Sequence, residues 1–169
     1  VLEPQNLPLP TTGTVSLAPP CSILSIAAFH GQAAALQTAL GVALPATPHC
    51  ITAGPVTWLW SGPHSWLALS ADPIEIPAAA STLAAITDQS DGRAIIRVTG
   101  PDAKKILAKL VPIDLHETAF PPDATALTLA GHISIQLWRG DIGYCLACFR
   151  SFAESLYESL SEASRASES

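Results

Sequence analysis

Cys145-x-x-Cys148 is the spacing in this chain that most invites a chemical reading, as a redox dithiol or half of a zinc site. A redox dithiol needs its sulfurs at a helix N-terminus, which lowers the thiol pKa. Tyr144 to Cys148 reads as a strand, and side chains three apart on a strand point to opposite faces. A four-ligand zinc site needs two more donors at suitable spacing, and Cys21 and Cys50 stand alone in the sequence. Core cysteines packing as small hydrophobes are the plainer reading. Of His30, His49, His64, His116 and His132, none falls in HExxH or a close metal pair. Asp114-Leu115-His116-Glu117 could supply a general base with a carboxylate to orient it. A polar loop, with Asp114 bonded to nearby backbone, explains the same residues without chemistry. GxSxG, a phosphate loop and GxGxxG are all absent. The expectation is therefore a chain with no catalytic, cofactor-binding or metal-ligating residue.

Four tryptophans remain, at 58, 60, 66 and 138. Tryptophan serves both cores and interface hot spots. Trp58 and Trp60 share one strand face. Trp138 shares a face with Ser134 and Gln136, and that polar company makes it the expected partner anchor. Trp58, Trp60, His116, Phe120, Leu7 and Leu9 complete the expected interface set.

These residues need elements to hold them, and the pattern runs twice. Ser22 to Ala28 is a strand, Gln32 to Leu40 a helix closed by Gly41, and His49 to Thr52 a short strand. Val56 to Trp60 and Trp66 to Leu69 form a hairpin, and Pro77 starts a helix to about Ile86. The second pass has a strand at Ala94 to Thr99 and a helix at Asp102 to Leu110. Ala103, Ile106, Leu107 and Leu110 line its buried face. Strands follow at Thr125 to Ala130, His132 to Trp138 and Tyr144 to Cys148, then a helix at Phe152 to Leu160. Each half reads β-α-β-β-β-α, which predicts an α+β fold of two pseudo-duplicated ferredoxin-like modules, about 21–88 and 89–160. Residues 1–20 read as a Pro-rich extended arm lying in a partner's groove. Residues 161–169, rich in Ser and Glu, read as a frayed tail.

Composition bounds the rest. The 169 residues carry net charge −6, are 49% hydrophobic and only 13% charged. Intrinsic disorder needs the opposite balance. No apolar run is long enough for a transmembrane helix. Scattered basic residues argue against nucleic acid. Covered surfaces are where charge is sparse, so the low charge fits a subunit, although an Ala-rich surface would also give it. The start Val1-Leu2-Glu3-Pro4 lacks the features of a signal peptide, giving a cytoplasmic expectation with reduced thiols.

Four stretches carry a resemblance. WLWSGPHSWLALS (58–70), GRAIIRVTGPDAKKILAKLVPIDLHETAFPP (92–122), HISIQLWR (132–139) and FRSFAESLYESL (149–160) resemble the gamma subunit family of heterotetrameric sarcosine oxidase, over about Ile23 to Leu160. Val98 to Ala103 is also similar to the glycine-cleavage aminomethyltransferase and related folate-binding proteins. The resemblance implies an aminomethyltransferase folate-binding-domain-like fold. It implies a complex of alpha, beta, gamma and delta subunits that oxidatively demethylates sarcosine. It also implies that FAD, FMN, NAD, tetrahydrofolate and zinc sit on other subunits, with gamma covering part of alpha. His64 departs from the family pattern, as do the long apolar leader and the Cys145/Cys148 pair. Other readings are a stand-alone folate-binding one-carbon transfer protein, an orphan scaffold on this fold, or a subunit acting on another N-methyl amino acid.

Overall fold

A computed structural model describes residues 14–167. In chain order the elements are β1 (Val15–Leu17), β2 (Ser22–Ala28), α1 (Ala33–Leu40), β3 (Cys50–Ala53), β4 (Val56–Trp60), β5 (Ser65–Ser70) and β6 (Ala84–Asp88). Then come β7 (Arg93–Val98), α2 (Ala103–Ala108), β8 (Thr125–Ala130), β9 (Ile133–Arg139), β10 (Tyr144–Phe149) and α3 (Ala153–Arg165). The chain divides into two compact units. One holds Pro20–Ser90 with Asp123–Thr125; the other holds 14–19, Asp91–Pro122 and 126–167. Each contains a five-stranded sheet.

In the unit of residues 20–90 the order is β3-β4-β5-β2-β6. Leu24, Ile26, Leu36, Leu44, Trp58, Trp66 and Ala68 make its core. Gly41 ends α1 with φ of 67°, a left-handed cap that glycine adopts without a Cβ penalty. Trp66 donates its indole N–H to the Pro45 carbonyl at 2.8 Å. The indole N–H of Trp58 is buried and meets no acceptor among the described residues. The two rings should therefore answer differently to loss of that nitrogen. Trp58→Phe is expected to cost less than Trp66→Phe in urea unfolding, because each leaves a similar cavity but only at Trp58 does an orphaned donor go with the ring. Trp66→Phe should cost about 1–2 kcal/mol more, because the Pro45 carbonyl loses its partner. Equal shifts in the urea midpoint would contradict this.

The Pro77–Ile86 helix is not formed. A single 3-10 turn spans Ala80–Thr82, and Ala84–Asp88 is β6, antiparallel to β2 with Ala28 opposite Ala84 and Leu24 opposite Asp88. The segment is helix-prone, but β2 would otherwise leave a row of backbone donors and acceptors unpaired. Tertiary pairing outweighs local propensity here.

The other unit has the order β1-β7-β10-β9-β8. Its β8-β9-β10-β7 run matches β3-β4-β5-β2 element for element. The fifth strand differs: β6 follows its four partners in sequence, whereas β1 precedes them. So part of the expected arm is sheet. Val15–Leu17 pairs antiparallel with β7, Val15 opposite Val98 and Leu17 opposite Ile96.

The helix at the chain's end also outruns its expected limit at Leu160. Helix α3 continues to Arg165. Leu156, Leu160 and Ala163 bury one stripe of it, and Lys109 donates from Nζ to the Ala163 carbonyl at 3.1 Å and to Ser167 Oγ at 2.9 Å. A cation at the last carbonyls complements the helix dipole, and this holds a turn that Ser/Glu composition marks as loose.

Candidate functional site

The Cys145/Cys148 pair lies on β10, the central strand of its sheet. Both residues are buried, and none of the four cysteines is in a disulfide. Burial pushes the Cys148 thiol up to about 11, with the Arg93 and Arg150 guanidiniums pulling the other way. Burial and then Asp123 raise Cys50 as well. Among the described residues no group of three or more His, Cys, Asp or Glu could hold a metal ion. A raised pKa leaves little thiolate, the reactive form, on Cys148.

A pH effect follows. An unfolded cysteine titrates near ~8.5. Between there and about 11 the unfolded chain has lost a proton that folded Cys148 keeps. Stability is thus fully present below pH ~8.5 and is lost as pH rises through that window, by about 1–3 kcal/mol in all. Cys148→Ala should flatten this alkaline slope of the urea midpoint. An unchanged slope would assign it to other groups.

The Asp114/His116 loop is built as a turn. Asp114 Oδ1 accepts the backbone N–H of His116 at 2.8 Å, and His116 Nδ1 pairs with Thr118 Oγ1 at 2.9 Å. His116 is exposed. The carboxylate is spent on a backbone amide, as in an Asx turn.

The expected anchors lie mostly inside the chain. Trp138 is 7% exposed, Trp58 and Phe120 4% each, and Trp60 is half-buried. Leu7 and Leu9 lie outside the described residues. Trp138 fails as an exposed anchor because its supposedly polar face is covered: Gln136 is itself buried. The large apolar side chains at the surface are others, namely Phe29, Leu127, Leu129, Ile142, Phe149 and Phe152. Leu127 and Leu129 stand two apart on β8, at the edge of the sheet, so they share one face. Phe149 stacks under the Arg93 guanidinium, 4.8 Å from its ring centroid. Arg150 ties this corner together, donating from Nε to the Asp91 carbonyl at 2.6 Å and from Nη2 to that of Arg93 at 3.1 Å. The sequence signal for the leucines was present: Thr125-Ala-Leu-Thr-Leu-Ala alternates, but which face is outward needs the sheet.

Likeness to known proteins bears on what this surface meets. Residues 25–166 match the family described as sarcosine oxidase, gamma subunit family. The chain belongs to the sarcosine oxidase gamma subunit family. A sarcosine oxidase subunit gamma from Corynebacterium sp. (strain P-1) is 33% identical over 73% of this chain and 65% of its own length. That from Corynebacterium sp. (strain U-96) is 34% identical over 79% of this chain and 71% of its own. The match thus spans just under two thirds of the strain P-1 relative. The fold is similar, with TM-score 0.75 and 27% identity, to a chain of heterotetrameric sarcosine oxidase from Corynebacterium sp. U-96, solved in complex with pyrrole 2-carboxylate. That likeness covers 90% of this chain and 85% of the other. Gamma-subunit membership accounts for the four stretches that carried the resemblance, all of which fall within 25–166.

Proposed function

We propose that this chain is a structural, non-catalytic subunit of a heterotetrameric, flavin-dependent sarcosine oxidase. In this reading alpha, beta and delta subunits are its partners, alpha chiefly. The complex oxidatively demethylates sarcosine in the cytoplasm and passes the one-carbon unit to tetrahydrofolate on another subunit. FAD, FMN, NAD, tetrahydrofolate and zinc are held by those other subunits. The fold is then a duplication of one ferredoxin-like module; the matching strand orders support this. The observation that carries the functional reading is the family match over residues 25–166. The 13% charged fraction and the exposed leucines of β8 are in keeping with it.

Leu127 and Leu129 give the test. The double variant Leu127→Glu/Leu129→Glu places two charges on an exposed face, where substitutions usually change stability by within about 0.5 kcal/mol. Its circular dichroism and thermal midpoint should match the unmodified chain. Its recovery with the co-expressed large subunit should fall more than about tenfold, because unpaired charges in an interface core are costly. Full recovery of the complex would remove β8 from the interface. Sarcosine turnover or a retained flavin spectrum in the purified chain alone would overturn the non-catalytic reading.

A further inference from the structure

We propose that Arg139 and Tyr144 form a binding site for one carboxylate. The two residues close the β9–β10 hairpin: they pair across the strands, and the turn between them is tied by the Gly140 N–H to the Gly143 carbonyl at 3.1 Å. The Arg139 guanidinium sits 5.6 Å from the Tyr144 ring centroid. The Phe120 ring lies 6.4 Å from that of Tyr144, tilted by 32°.

Three donors in this cluster are buried without a hydrogen-bond partner among the described residues: Arg139 Nε, Arg139 Nη2 and the Tyr144 hydroxyl. Tyr144 as a whole is 4% exposed. Nε–H and Nη2–H lie along one edge of the planar guanidinium, and that edge matches the two oxygens of a carboxylate. Arg150 shows how this chain treats the same edge when it serves the fold, spending it on the Asp91 and Arg93 carbonyls. Arg139 is given no such acceptor. Asp141, the acid nearest in sequence, is exposed and forms no ion pair with it. A buried guanidinium edge and a buried hydroxyl on residues paired across one hairpin, both unpaired, are costly unless an acceptor arrives. A carboxylate supplies oxygens for both groups and cancels the one positive charge. A dianionic phosphate would leave net negative charge in a half-buried site holding a single cation. The carboxylate comes either from a free small molecule or from an Asp or Glu of a neighbouring subunit.

Two arms separate these sources. In the full chain labelled with ¹⁵N-arginine, the Nε–H resonance of Arg139, assigned by its absence in Arg139→Lys, is followed during titration with sodium acetate against sodium chloride at equal ionic strength. A saturable downfield shift with acetate alone, weakened several-fold in Tyr144→Phe, identifies a site for free carboxylates. In the second arm, Arg139→Gln and Tyr144→Phe chains of unchanged circular dichroism are co-expressed with the other subunits. No acetate shift, but assembly weakened about thirtyfold or more by Arg139→Gln and less by Tyr144→Phe, identifies the neighbouring subunit's carboxylate. The acetate arm decides the free-ligand case even if the chain assembles with nothing. Absence of both effects overturns the site.

Discussion

Gly143→Ala is expected to unfold the unit that contains it. Gly143 ends the β9–β10 turn with φ of 78°, a left-handed conformation that an L side chain adopts at a cost of about 1–2 kcal/mol. Space is the larger problem. A Cβ at this position would collide with the Val98 carbonyl oxygen and lie 2.9 Å from Thr99 Cα. Both are backbone atoms at the end of β7, and Val98 pairs with β1 and β10 at once. Neither can move without parting the sheet. The sum should exceed about 4 kcal/mol, most of a marginal fold's stability. Gly131→Ala is the control. Gly131 has φ of 59°, and a Cβ there meets nothing within 4 Å. It should lose only the conformational cost of about 1–2 kcal/mol. Urea unfolding of the two variants checks the difference. Equal midpoints would mean that the close approach of the turn to β7 is wrong.

Trp138→Ala is expected to act on folding before it acts on assembly. The ring is buried on β9, where Ile135, Gln136, Leu137 and Trp138 are all buried and the strand is covered on both faces. Truncating a buried tryptophan leaves a cavity and costs about 3–5 kcal/mol. The isolated chain should show a lowered urea midpoint or fail to fold. A wild-type midpoint combined with lost assembly would return Trp138 to the role of exposed anchor.

That residue also shows where sequence reading ran out. Alternation places Ser134, Gln136 and Trp138 on one face and was right about the strand. It could not say that this face is covered, because Gln136 is a polar residue buried in company. Burial of polar groups depends on partners distant in sequence. The helices α1 and α2 were legible because glycine at position 41 and the apolar spacing of residues 103–110 are local signals. β6 was not, because the open edge of β2 that captures it lies some sixty residues earlier in the chain. The last turn of α3 was hidden for a similar reason: Lys109, which holds its end, is remote in sequence. Of the candidate residues, the placement of Cys145 and Cys148 on a strand was readable from the local pattern. The Arg139–Tyr144 cluster was not, since an arginine beside a hairpin turn looks like any solvated charge until its donors are counted.

The central proposal is that this chain is one subunit of a larger assembly. The most direct measurement is native mass spectrometry of the chain co-expressed with the alpha, beta and delta subunits proposed as its partners, followed by a sarcosine-dependent hydrogen peroxide assay of the same sample. A single species that contains this 17.6 kDa chain with three different partners, and that turns over sarcosine, is the predicted result. A chain that stays a stable monomer while the other subunits assemble and turn over sarcosine without it would contradict the account.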